Sequence, residues 1–84
     1  MEKANPRLGE EFKKVIRNQL RSGKPPITRE TLERLQKEGI AEPEAIRLMA
    51  CVMAVEMWSV MHDQREFNLE KYTAMMRKLP QLPE

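Results

Sequence analysis

The sequence predicts a small all-α fold of four helices, and three observations predict it. Met, Leu, Glu, Lys and Arg are abundant, with only three Gly and few aromatics, a mix that favours helix over strand. Apolar residues recur at steps of three and four, and no run of β-branched residues alternates along the chain. Each such segment is bounded by cap residues, Gly or Pro. Together they make one helical domain over 1–84, with a central apolar third helix.

The first helix is predicted over 6–22. Asn5 can supply a cap oxygen, and Pro6 at the first helical position lacks an N–H that would be unpaired anyway. Leu8, Phe12, Val15, Ile16 and Leu20 form its apolar side, with Lys13, Arg17 and Arg21 opposite. Gly23 ends it.

After the rigid Pro25-Pro26 link, Thr28 is the expected cap of a second helix over 28–38. Ile27 and Leu32 stand at the positions of a hydrophobic staple. Leu32 and Leu35 should face inward, Gly39 should end the helix, and Ile40 should fold back onto it.

The third helix, over 43–63, opens at Pro43 with Glu42 as a poor cap. Ile46, Met49, Met53, Met57, Val60 and Met61 make one apolar sector; Leu48, Cys51, Val55 and Trp58 make another, roughly opposite. A helix apolar on nearly all sides needs cover on nearly all sides. Three short helices give limited cover, and this predicts self-association. The fourth helix, over 68–79, starts at Asn68 with Phe67 and Tyr72 at its staple positions. Leu69, Tyr72, Met75, Met76 and Leu79 form its apolar side, and Pro80 and Pro83 stop it.

Apolar residues make up 40% of the chain and charged residues 33%, the balance of a folded globular protein rather than a disordered one. A chain of 84 residues hides only about 60–65% of its unfolded surface, so a second copy would add appreciably to its stability. Net charge is +2, with seven basic and three acidic residues over 1–24 against three and five over 25–44. That field is too small to argue for nucleic acid by itself. The apolar run Ala45–Met61 is shorter than a membrane span and carries Arg47 and Glu56. The start of the chain reads as a capped, charged helix rather than a signal peptide. The expectation is therefore a cytoplasmic protein with no membrane partner.

Catalytic constellations do not emerge. There is one His, one Cys and no Gly-rich phosphate loop. His62 beside Asp63 could tune a proton, but a charge favoured at a helix C-terminus accounts for it more simply. One His without a Cys cluster does not make a metal site, and no cofactor or small-molecule substrate is expected. Cys51 reads as a buried small hydrophobe. Glu56 lies among apolar residues, so it must be paired, hydrogen-bonded or protonated. The expected partner is an Arg of the first or second helix, or the same residue across a dimer. Arg47 interrupts the third helix on another side. Met49, Met53, Met57 and Met61 recur every four residues and read as core, with an adaptable binding face as the alternative. Trp58 reads as core or as an interface anchor. The acidic stretch Glu42-Pro43-Glu44 at the start of the third helix is unsuited to a recognition helix.

The layout Asn5-Pro6, Asn18-Gln19-Leu20, Pro25-Pro26, Thr31-Leu32-x-Arg34-Leu35 and Gly39 continues through Glu44-Ala45 to Phe67 and Tyr72. It resembles a family of short, all-helical bacterial proteins of unknown function, over most of the chain. Several members of that family carry histidines at the positions of Gly9, Lys13, Pro43 and Arg47, spaced i, i+4 on two helices. The resemblance implies that such relatives could gather a metal there and that this chain, with no His at any of the four positions, does not use those ligands. An acid at the position of Glu56 belongs to the same pattern. The family has no assigned activity.

The reading that results is a non-enzymatic interaction or structural module that self-associates, most simply as a homodimer, or that binds another protein. Its candidate interface or buried polar residues are Glu56, Trp58, Val55, Leu48 and Arg47. The alternative is a nucleic-acid-associated or regulatory protein using the basic face of the first helix.

Overall fold

The computed structural model describes residues 6–83, with residues 6–8 by backbone alone. Four helices follow one another: α1 (Pro6–Ser22), α2 (Pro26–Lys37), α3 (Glu42–Asp63) and α4 (Leu69–Lys78). No strand occurs among the described residues. The fold is all-α, as the spacing of apolar residues predicts. The Asn5 cap and the Leu8 side chain fall outside what is described.

Helix α3 is the axis of the fold. It packs on α1, α2 and α4, most extensively on α1. Around it α2 also touches both α1 and α4, whereas α1 and α4 do not pack backbone to backbone. The core draws Ile16 and Leu20 from α1, Ile27, Leu32 and Leu35 from α2, and Ala45, Ile46, Leu48, Met49, Val52 and Met53 from α3. Tyr72, Met76 and Leu79 complete it from the fourth helix and its end. Phe12, Ile16 and Leu20 share the inward line of α1 at steps of four. Val15, one position and 100° round from Ile16, is 38% exposed rather than buried.

Gly23 (φ +78) and Gly39 (φ +93) end α1 and α2 in the left-handed region that favours glycine. After Gly39, the Ile40 N–H returns to the Leu35 carbonyl at 3.0 Å, and Ile40 packs onto the core. This is the six-to-one closure of a Schellman end.

Two starts differ from expectation. Helix α2 begins at Pro26, with Pro25 as its uncapped N-cap residue. Pro fits a first helical position, so the helix gains two residues and Thr28 is released from capping. Residues Ile27 and Leu32 therefore lie within α2, both buried, rather than at staple positions. Helix α3 starts at Glu42 with Ala41 as its N-cap. The α4 start follows its sequence signals: the Asn68 side chain accepts the Lys71 N–H at 3.1 Å, and the Phe67 and Tyr72 rings pack at a tilt of 56° with centroids 5.3 Å apart.

Three polar ties lock the outer helices together. The Thr28 hydroxyl donates to Gln19 Oε1 at 2.7 Å, and the Tyr72 hydroxyl donates to the same oxygen at 2.9 Å. Thr28 and Tyr72 oxygens are themselves 3.3 Å apart. Arg29 donates to the Leu20 carbonyl near the end of α1. Arg34 donates to the Met76 and Leu79 carbonyls at 3.0 and 2.8 Å, a cation at the C-terminal end of α4, where the helix dipole favours it.

Candidate interaction surface

Helix α3 is exposed at its first turn and its end, buried on most sides between Ala45 and Glu56, and uncovered there along one line. On that line stand Arg47, Cys51, Ala54, Trp58 and Met61, spaced alternately by four and three residues. Such spacing keeps side chains in one seam along a helix. Arg47 is exposed, Cys51 and Ala54 are half-buried, Trp58 is 64% exposed and Met61 75% exposed. The last two are the most exposed large apolar side chains among the described residues.

The two halves of the seam differ in size. Cys51 and Ala54 are small, whereas Trp58 and Met61 are large. The Trp58 ring lies against His62 one turn on, with centroids 4.4 Å apart and planes tilted by 38°. At the other end, Arg47 holds Glu44 in a two-pronged pair at 2.9 and 2.6 Å. That hydrogen-bonded guanidinium lowers the Glu44 pKa, and the Arg47 pKa is raised in turn.

Val55 borders the seam. It is half-buried and lines an open groove of about 480 Å³ with Met75, Lys78, Gln81, Leu82 and Pro83. Leu48, expected in the same outer sector, is only 5% exposed and belongs to the core. One hundred degrees per residue carries it round from Arg47 to the packed side of α3. The methionines divide in the same way: Met49 and Met53 are buried, Met57 packs partly against the core, and Met61 is outside. Cys51, expected to be buried, is half-buried.

Glu56 points away from the seam and is 1% exposed. Its carboxylate accepts from both Arg65 terminal nitrogens, at 2.9 Å on Oε2 and 3.0 Å on Oε1. It also accepts the Asn68 N–H at 2.8 Å. The Arg65 hydrogen bonds hold its pKa below the ordinary carboxylate value against the opposing effect of burial, and the Asn68 N–H adds to the lowering. The partner is thus neither an Arg of α1 or α2 nor a second copy. Gln64, at φ 53, ends α3 with a left-handed residue. The chain turns there, the Arg65 N–H closes on the Val60 carbonyl, and the Arg65 side chain comes back over Glu56. Sequence reasoning missed Arg65 because only that turn brings it near.

Every buried side-chain nitrogen or oxygen among the described residues has a hydrogen-bond partner. The buried polar groups of Thr28, Glu56 and Tyr72 are therefore taken up by partners within the fold. On α1, Lys13 lies 3.4 Å from Glu10 and Lys14 lies 3.7 Å from Glu11, so part of its basic face is neutralised within the helix. What the fold offers outward is the α3 seam. No family model, curated protein or solved structure matches this chain, so that surface is the basis for a functional reading.

Proposed function

We propose that this chain is a small, non-enzymatic, cytoplasmic interaction module that self-associates through the exposed seam of α3. The observation that carries the reading is the exposure of Trp58 and Met61 side by side on the central helix. Large apolar side chains grouped on a surface mark interaction sites in soluble proteins, and Trp is over-represented among the residues that dominate interface energetics. The internal satisfaction of Glu56 supports a structural role for that acid, since a carboxylate already accepting three donors has little left to offer a substrate.

Molar mass by light scattering across protein concentrations up to about 1 mM tests the proposal, a range that covers dissociation constants into the weak regime. The expected result is a dimer mass for the wild-type chain. The Trp58→Asp variant, changed at a side chain outside the core, should be a helical monomer at the same concentrations. A monomer mass for the wild-type chain throughout would overturn the reading.

A further inference from the structure

Charge is unevenly placed along this chain. Residues 12–29 hold six basic side chains and no acidic one, while the rest of the chain holds nine basic and thirteen acidic. The net charge of +2 therefore hides a cationic segment on an otherwise acidic molecule. We propose that Arg17, Arg21, Lys24 and Arg29 form a docking surface for the phosphate backbone of duplex nucleic acid. The surface is separate from the α3 seam and does not depend on self-association.

The fold gathers these four cations at the corner between α1 and α2. Arg17 and Arg21 stand one turn apart on α1, about 6 Å along its axis. Lys24 follows in the link. The Arg29 guanidinium, from α2, donates to the Leu20 carbonyl and so brings a fourth cation to the end of α1. All four are exposed, and none forms an ion pair among the described residues. Lys13 and Lys14, paired with Glu10 and Glu11, mark where the free charge begins. Glu30 and Glu33, the next acids along α2, are exposed and pair with none of the four.

Helix dipoles do not absorb this charge. The negative pole at the end of α1 amounts to about half a charge, and the positive pole at the start of α2 offsets it. The side chains are left to set the field of the corner, and an anion there relieves their mutual repulsion. Three of the four are Arg, whose planar fork meets phosphate oxygens in pairs.

An anionic membrane fits less well. A protein held on a membrane surface buries apolar side chains among the lipids. Of the exposed large apolar residues, only Val15 lies within 12–29, and it stands about 160° round α1 from Arg17.

Fluorescence anisotropy of a short labelled DNA duplex of mixed sequence, titrated with the full chain across a salt series, tests the proposal. Four neutralised phosphates give a log–log slope of binding against salt of about −3.6, or about 150-fold weaker binding at 200 mM than at 50 mM salt. Arg17→Gln/Arg21→Gln should reduce that slope by about 1.8 and, as a second reporter, Lys24→Gln should reduce it by about 0.9. Arg77→Gln/Lys78→Gln removes the same charge as the first variant from exposed positions on α4 and should keep the wild-type slope. Each variant is checked for wild-type helical circular dichroism. Equal losses from the α1 and α4 variants would show that net charge alone is at work and would overturn the site. Binding to phosphatidylserine vesicles without binding to the duplex would overturn the choice of partner. No binding at about 1 mM protein and about 20 mM salt, where non-specific phosphate binders are well above their dissociation constants, would overturn the proposal outright.

Discussion

Glu56 and Arg65, nine positions apart in the chain, meet in a two-pronged ion pair whose carboxylate is 1% exposed and also accepts the first N–H of the α4 cap. The pair ties the last turns of α3 to the start of α4 across the five-residue reversal 64–68. It is a positioning device: Asn68, held by its N–H to Glu56, is the residue whose side chain caps α4.

Glu56→Gln keeps the shape and removes the charge. Breaking a buried pair by removing one partner costs about 3–5 kcal/mol. Arg65 keeps 24% side-chain exposure, so a loss nearer about 2–3 kcal/mol is expected, still far above the ~0.5 kcal/mol of a surface change. Denaturant unfolding measures it. The pH dependence has a fixed sign. The Glu56 pKa is lowered on folding, so its contribution is whole above the unfolded value near 4.5 and is lost as pH falls through the lower folded value. The stability gap between wild type and Glu56→Gln should therefore narrow on acidification below about pH 4.5. A gap constant from neutral pH down to the acid limit would contradict this ion pair.

Tyr72 is the sole tyrosine, and burial pushes its phenol up to about 12. Its ionisation should be delayed from near 10 in the denatured chain to about 12 in the native one, read by absorbance near 295 nm. Because the folded value is the higher one, stability should be steady below pH 10 and fall as pH rises through 10 to 12. A native transition near 10 would mean that the hydroxyl is open to water.

Arg34 clamps two carbonyls at the end of α4 with its two terminal nitrogens. Arg34→Ala should cost about 1–3 kcal/mol, the penalty of leaving half-buried acceptors short of a charged donor. Arg34→Lys should recover only part, since an ammonium cannot reproduce the planar fork. Thermal melts of the three proteins order them; equal melting of Lys and Arg forms would show that charge alone is needed.

Much of the fold could be read from the sequence because its signals are local. Asn68 followed by an apolar Tyr72 marks a helix start wherever it occurs, and Gly39 followed by Ile40 marks an end. The inward line of Phe12, Ile16 and Leu20 follows from the helical period. What escaped reading depends on where elements come to rest. Thr28 looked like a cap; once Pro25 and Pro26 start α2 earlier, its hydroxyl meets Gln19 and Tyr72, residues 9 and 44 positions away. Arg65 is found by Glu56 only through the left-handed turn at Gln64, a residue whose type does not announce one. Leu48 and Trp58 share a sector on the bare wheel, yet Leu48 is covered and Trp58 is not. The wheel of α3 cannot show which side α1, α2 and α4 leave open.

Helix α2 is one of the two shorter helices, yet nearly every polar tie between elements has one end on it. Thr28 reaches Gln19 and Tyr72, Arg29 reaches Leu20, and Arg34 reaches Met76 and Leu79; the Tyr72–Gln19 bond and the Glu56 tie to the α4 cap bypass it. Neither α1 nor α4 can detach without breaking bonds to the same twelve residues. The four helices therefore constitute one cooperative unit, in which loosening α2 releases both flanks together.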